Sequence, residues 1–205
     1  MNIYLASGNL HKLEEISAML AEVKSLTLRS VSELGGMPDV DENAPDFEGN
    51  ARLKAQALQE LVPDGSYVLA DDSGLVVDAL NGAPGVRSAR YAGEHCSDAD
   101  NNTKLLKALE TLPASQRTAH FVCVFQLLGP EIDKTFRGEC HGAIDHQESG
   151  DAGFGYDPLF TPDGYKASFA SLGQKVKSQI SHRARAVEQL LQFLKQIEKS
   201  NAPVT

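Results

Sequence analysis

Two adjacent carboxylates, Asp71 and Asp72, followed at once by Ser73-Gly74, are the residues of this chain best suited to acid–base or metal chemistry. An apolar run, Val68-Leu69-Ala70, leads into them, and a second, Leu75-Val76-Val77, leads away to Asp78. Side chains alternate along a strand, so neighbouring acids share a side only where the backbone turns, and Gly74 permits a turn. The stretch reads as a strand that brings acid to its own tip and turns at Ser73-Gly74. It is either a solvated hairpin turn or a site. Three further stretches carry complementary chemistry. Ser7-Gly8-Asn9-Leu10-His11-Lys12 places small polar residues and a lysine between a strand and a helix, where free N–H groups and the positive end of a helix dipole suit a phosphate. It lacks the spacing of a Walker A loop, and an ordinary Ser/Asn cap with a surface lysine has the same residues. Gly153-Phe154-Gly155-Tyr156-Asp157-Pro158 combines glycines, aromatics and an acid. That set can stack a flat ring and accept its N–H, or form a tight turn packed by its own aromatics. Ser181-His182-Arg183 puts cations where they oppose a helix dipole, so some partner must compensate them.

The elements that must position these residues follow from periodicity. Ile3-Tyr4-Leu5-Ala6 is a short strand, and Leu13, Ile16, Leu20 and Val23 mark one face of the next helix. Leu26 to Val31 is a second strand. Gly35 to Glu48 is an acidic, proline-broken segment with Asp39, Asp41, Glu42, Asp46 and Glu48, readable as a solvated loop or as a loop of metal ligands. A helix over 49–62 buries Ala51, Ala55, Leu58 and Val62, with Lys54 on the flank of that stripe, either snorkelling or facing a cleft. After the glycine- and proline-rich stretch 81–86, Arg90 can clamp an anion or pair with a local acid. Ser97 and Asp100 form a capping box for a helix to about Leu112. Phe121 to Leu128 is apolar enough for a strand buried on both faces, with Thr135 to Ile144 as its partner. His120, His141 and His146 read as structural or surface residues. Ser181 caps a long last helix with Val187, Leu190, Leu191, Leu194 and Ile197 inward. Strands alternate with helices early and follow one another later, which predicts an α/β protein with a mixed sheet.

Composition narrows the function classes. With 205 residues, 41% of them hydrophobic, the chain builds one core, in one or two lobes. A formal charge of -9 argues against a sequence-independent grip on nucleic acid. Cys96, Cys123 and Cys140 have no zinc or disulfide spacing and read as reduced thiols. No long apolar run marks a leader or a membrane span. A cytoplasmic protein without membrane or nucleic-acid partners is expected.

Ser-Gly-Asn-x-x-Lys at 7–12, Asp-Asp-Ser-Gly at 71–74, Gly-Ala-Pro-Gly at 82–85, Phe-Gly-Tyr-Asp at 154–157 and Ser-His-Arg at 181–183 together resemble the inosine triphosphate pyrophosphatase family. Each motif is weak alone; their order along nearly the whole chain is specific. The resemblance implies an α/β fold, an elongated mixed sheet with flanking helices forming two lobes around a nucleotide cleft, over a single domain 1–199 with a disordered tail 200–205. It implies a homodimer and Mg²⁺-dependent hydrolysis of ITP, dITP or XTP to the monophosphate and pyrophosphate. By the same resemblance Ser7 to Lys12 is the triphosphate cradle, with Leu10 and His11 acting through backbone atoms. Asp72 is the catalytic aspartate and a metal ligand, and Glu42 is the second metal carboxylate. Ser73, Phe154, Gly155, Tyr156, Asp157, Lys177, His182 and Arg183 contact the substrate. Where many relatives carry Phe-x-Glu-Asn-Ala, this chain has Phe47-Glu48-Gly49-Asn50-Ala51, so no role passes to a glutamate just before Asn50.

The chemistry expected is in-line attack of water on the α-phosphorus. A metal-bound carboxylate oxygen is a poor base, which leaves open whether Asp72 uses its second oxygen, Asp71 shares the work, or the metal acidifies the water. Donors from the 181–183 turn and an acceptor such as Asp157 would match the O6 and N1–H edge of hypoxanthine and reject adenine. The alternatives are another metal-dependent phosphohydrolase with Asp72 as covalent nucleophile, and a purine nucleotide-binding regulator without catalysis.

Overall fold

The computed structural model describes residues 1–21, 23 and 25–200, with the side chains of 198–200 left aside. Six strands form one mixed sheet in the order β2-β1-β3-β4-β5-β6: β1 (Asn2–Ala6), β2 (Thr27–Ser30), β3 (Tyr67–Val77), β4 (Thr118–Gly129), β5 (Ile132–Ile144) and β6 (Phe160–Pro162). β1 is parallel to β2 and β3, and the rest pair antiparallel, the mixed α/β sheet that the element order predicts. The helices are α1 (Leu10–Leu20), α2 (Phe47–Gln59), α3 (Asp98–Ala108), α4 (Phe169–Leu172), α5 (Gln174–Ile180) and α6 (His182–Ser200). Among the described residues no helix is long and apolar enough to cross a membrane. Ser200 closes α6, and the remainder of the expected tail, 201–205, lies outside the described residues.

The core divides by face and along the sheet. One face of the sheet buries Leu5, Leu69, Phe125 and Leu127 against α1 and α6, through Ile16, Leu20, Val187, Leu190 and Leu194. The same face further along packs Leu75, Val77 and Phe121 against Leu105 and Leu109 near α3, and against Phe160 and Phe169. The opposite face lies on α2, where Ala55 and Leu58 meet Tyr4, Val68 and Ala70, and Phe47 and Ala51 meet Val122 and Val124. α2 starts at Phe47 rather than Gly49 because the Asp46 carboxylate accepts the Gly49 N–H at 2.7 Å and caps the helix there. The predicted caps of α3 and α6 form: Ser97 and Asp100 make a capping box, and Ser181 Oγ accepts the Ala184 N–H at 3.2 Å.

The turn predicted at Ser73-Gly74 is absent. β3 continues through both acids and pairs with β4 without interruption from Val68↔Leu128 to Val77↔Ala119. Strand alternation is therefore kept, and Asp71 and Asp72 point to opposite faces. Gly74 serves space rather than a turn. A Cβ there would lie 2.4 Å from Ser88 Oγ and 2.6 Å from Gly85 O, so only glycine lets the 85–90 turn seat against the strand. β1 ends its pairing at Ala6↔Ala70, one residue before Asp71. From Asp71 until the bridge Val76↔Pro84, β3 has an open flank on the β1 side, and acids on opposite faces reach one cleft around that flank.

Candidate active site

The cleft at the open flank of β3 has a volume of about 460 Å³. It is lined by Ser7, Gly8, Asn9 and Lys12 from the loop after β1, by Asp72 and Ser73 from β3, and by Glu42 from the acidic loop. Phe154, Gly155, Tyr156, Asp157, Lys177, His182 and Arg183 close it from the other side. Fourteen of the sixteen predicted site residues thus meet in one cavity; Leu10 and His11 are the two left out. Leu10 is 71% exposed. His11 is exposed too, but its side chain does not merely follow the backbone: it stacks on Phe154 with ring centres 5.2 Å apart.

The two acids of β3 have different partners. Asp71 faces α1 and α6, where Oδ1 sits 2.5 Å from Lys12 Nζ and accepts the Ser73 hydroxyl at 3.1 Å. Its Oδ2 is 3.5 Å from Arg183 Nε and accepts the Cys123 thiol at 3.2 Å. Burial would raise this carboxyl, but Lys12 and Arg183 outweigh it and hold Asp71 far below the usual carboxylate range. Asp72 faces α2, where Oδ1 accepts from Lys54 Nζ at 2.9 Å. Its Oδ2 is buried without a hydrogen-bond partner among the described residues. Burial pushes Asp72 upward, against the lowering effect of Lys54. Lys54, left between snorkelling and facing a cleft by its sequence position, also reaches Glu42 Oε2 at 3.1 Å and so stands between the two carboxylates.

The acidic loop is tied down at both ends of its turn. Asn50 Oδ1 accepts the Ala44 N–H at 3.0 Å, and Arg90 Nη2 donates to the carbonyl of Glu42 at 3.1 Å. Arg90 Nε also lies 3.8 Å from Glu94, so it pairs with a local acid while holding the loop over the cleft. At Gly49 a Cβ would come within 2.5 Å of Ala44 Cβ, so glycine here lets this loop fold close against α2. Asn9 and Ser7 behave as the ordinary cap, with Asn9 Oδ1 accepting the Lys12 N–H at 3.2 Å. Lys12, by contrast, is directed inward onto Asp71 instead of lying on the surface.

Across the cleft, Lys177 Nζ is 2.6 Å from Asp157 Oδ2 and 2.8 Å from Glu15 Oε1, with its side chain 3% exposed. Glu15 also receives Arg183 Nη1, and Arg183 Nη2 donates to Ser73 Oγ at 3.0 Å. Glu15 and Asp71 are the partners that the dipole argument demanded for Arg183. Burial raises Glu15, but Arg183 and Lys177 bring it below its ordinary value. Glu15 went unread in the sequence, although it sits three residues after Lys12 on a helix and must share its side. His182 lies flat on Phe121, ring centres 4.8 Å apart, and burial keeps its imidazole well below the usual range and uncharged. Its Nδ1 is buried without a partner among the described residues. Ser181 is spent on the cap and does not line the cavity. The aromatics of 153–158 divide between the two readings. Tyr156 is 4% exposed and its hydroxyl donates to the Ser88 carbonyl at 2.8 Å, as in a self-packed turn, whereas Phe154 presents its ring to the cleft. Asp157 accepts the Phe154 N–H and the Lys177 ammonium through Oδ2.

The model of the Ham1 family matches residues 3–193. The chain belongs to the Ham1 family. Among Ham1-like proteins the dITP/XTP pyrophosphatase of Opitutus terrae is 48% identical over 94% of this chain and 98% of its own. The Ham1 protein of Staphylococcus aureus superposes with a TM-score of 0.85 at 40% identity, over 96% of this chain and 99% of the other. The HAM1 protein of Coxiella burnetii gives 0.86 at 38%, over 96% and 99%. The resemblance that the five ordered motifs carry is thereby borne out, and with it the Ham1 fold of a mixed sheet with flanking helices. Among the described residues of this Ham1 protein no three His, Cys, Asp or Glu side chains converge as a metal cage. Asp72 and Glu42 both reach Lys54 Nζ, so these two carboxylates lie within reach of one cation, and Asp72 Oδ2 has no hydrogen-bond partner among the described residues. Two carboxylates fit Mg²⁺, which takes one or two from a protein and completes its shell with water and substrate phosphate.

Proposed function

We propose that this chain hydrolyses non-standard purine nucleoside triphosphates, of the dITP, XTP and ITP kind, to the nucleoside monophosphate and pyrophosphate. The observation that carries the reading is the Oδ2 of Asp72, buried in the cleft without a hydrogen-bond partner among the described residues, beside the lysines Lys12 and Lys54. Relatives that match nearly full length bear the name dITP/XTP pyrophosphatase. Asp72 and Glu42 would hold a Mg²⁺ ion, which when bound would supply charge neutralisation of the triphosphate.

The chain's own residues divide the work. Lys12, Lys54 and the Ser7 to Lys12 loop hold the phosphates, replacing part of the carboxylate pairing that occupies the lysines in the free protein. Water attacks the α-phosphorus; its oxygen forms the new P–O bond while the bond from the α-phosphorus to the bridging oxygen breaks, and the electron pair leaves with pyrophosphate. The proton passes to a carboxylate. Asp72 is the better placed of the two adjacent acids, because Asp71 spends Oδ1 on Lys12 and Ser73 and Oδ2 on Cys123 and Arg183. The base lies against Phe154, with the unpartnered Nδ1 of His182 and the carboxylate of Asp157 at its edge, so that adenine, with the reversed donor and acceptor pair, leaves polar groups unsatisfied.

The deciding experiment measures pyrophosphate release from a panel of ITP, dITP, XTP, GTP and ATP with and without Mg²⁺. Release from ITP, dITP and XTP well above ATP, abolished by chelation, is expected. Tight ITP binding with no pyrophosphate formed would leave only a nucleotide-binding role. Assembly as a homodimer belongs to the same proposal, and sedimentation of the purified chain checks it.

A further inference from the structure

Phe154 is the flat surface proposed for the purine, and in the free protein that ring is already covered. The imidazole of His11 reaches it from the first turn of α1 and stacks at 5.2 Å between centres, 16° from parallel. Lys177 Nζ stands 4.5 Å from the centre of the same ring, and the Arg183 guanidinium 6.0 Å. These three neighbours differ in their freedom to leave. Lys177 is fixed between Glu15 and Asp157, and Arg183 is fixed by Glu15, Asp71 and Ser73. His11 is exposed, and among the described residues its side chain has no hydrogen-bond or ion-pair partner, only the stack. A purine cannot slide between the two rings as they stand, because two stacking distances of about 3.5 Å need a gap of about 7 Å.

We infer that His11 stands in for the base: its imidazole occupies Phe154 in the free protein, and the purine of an incoming nucleotide displaces it. The inference rests on Phe154 being the surface on which the base lies. It assigns the His11 side chain a function where the sequence offers only backbone atoms. Stack is exchanged for stack, so every nucleotide meets the same competitor, and apparent affinity falls by the fraction of molecules in which the shelf is closed. The ranking of bases is untouched, since the displaced ring does not read the base edge.

The test combines kinetics with a spectroscopic signal from the ring itself. His11→Ala is expected to lower KM for ITP and for XTP by a similar factor, about two- to tenfold, the worth of one aromatic stack, with the change in KM rather than kcat. His11→Phe, which keeps a stacking ring, should not lower it. In proton NMR the His11 ring C–H signals, assigned by their loss in His11→Ala, should start upfield under the Phe154 ring current. They should move toward free-histidine positions as inosine monophosphate is added. Phe154→Leu separates the two ideas. A raised KM in Phe154→Leu, with an unchanged or raised KM in His11→Ala and His11 signals indifferent to the monophosphate, overturns the displacement while leaving the base shelf intact. An unchanged KM in Phe154→Leu removes the shelf, and the displacement with it.

Discussion

Asp71 and Asp72 are adjacent in sequence, equally buried to within a few per cent, and opposite in circumstance. Asp71 lies on the α1–α6 face with Lys12, Arg183, Ser73 and Cys123 around it, both oxygens engaged. Asp72 lies on the α2 face with Lys54 on one oxygen and, among the described residues, no hydrogen-bond partner on the other. One acid is a fixed counter-charge that keeps a set of cations in place; the other has bonding capacity held in reserve. A strand that runs straight past the end of a shorter neighbour brings both to one cleft while giving each its own electrostatic surroundings. The difference teaches that in a pair of carboxylates the reactive one is found by counting what its oxygens already do, not by its charge.

The sharpest way to break this division is to remove each acid in turn. Asp72→Asn is expected to lower the rate of pyrophosphate release by roughly two orders of magnitude or more, because it takes away both base and ligand. Its stability to urea should stay within about 1 kcal/mol of the parent, since the neutral amide relieves a desolvated charge and Lys54 keeps Glu42. Asp71→Asn should show the reverse emphasis. Leaving Lys12 and Arg183 without their shared counter-ion costs roughly 2–4 kcal/mol, a fall in Tm of about 10 °C for a chain of this size. Calorimetry on the two variants decides it. Equal losses of stability would mean that the two acids are equivalent and would remove the division between them.

Much of this division could not be read from the sequence, and the reason is geometric. The residue types and their order pointed to one place in the fold: residues from the loop at 7–12, the acids at 71–72, the turn at 153–158 and His182-Arg183 all line the cleft. The periodic runs located most of the sheet and helices, because apolar alternation is a local signal. What failed was the turn at Ser73-Gly74. Gly74 is there because Ser88 approaches it from 14 residues away in the chain, a contact with no local signature. Glu15 escaped notice for a different reason: it sits among charged residues on an amphipathic helix, where an outward glutamate and an ion-paired, buried one look alike. Only its spacing from Lys12 hinted at the cleft. The reach of His11 to Phe154 joins the start of α1 to the 153–158 turn, far apart in the chain, and spacing carries no information about such a contact.

Glu15 sharpens the comparison by extending it along the Asp71 face. Glu15→Gln keeps the shape and removes the charge that Arg183 and Lys177 share, so a loss of about 1–3 kcal/mol is expected. The pH dependence has a definite sign. The folded protein holds this carboxyl below its unfolded value, so its contribution is present above the unfolded value and lost as pH falls through the folded one. The gap in stability between the parent and Glu15→Gln should therefore be full near neutrality and shrink below about pH 4. A gap that stayed constant on acidification would show that Glu15 acts by shape alone.

The smallest effect is expected at Cys123, and it tests the comparison from the Asp71 side without touching a charge. Its buried thiol donates to Asp71 Oδ2 at 3.2 Å, with burial and the nearby carboxylate raising it well above the ordinary thiol range, so it stays protonated and remains a donor. Cys123→Ala removes a weak donor and opens a small void, for a loss of about 1 kcal/mol. Cys123→Ser replaces the thiol with a stronger donor, and its hydroxyl should recover part of that loss. Because Asp71 keeps Lys12, Arg183 and Ser73 in either variant, turnover should stay within about threefold of the parent. If Cys123→Ala instead reduced turnover as far as Asp72→Asn, orientation of Asp71 would be limiting for the chemistry. The assignment of one acid to structure and the other to reaction would then have to be reversed.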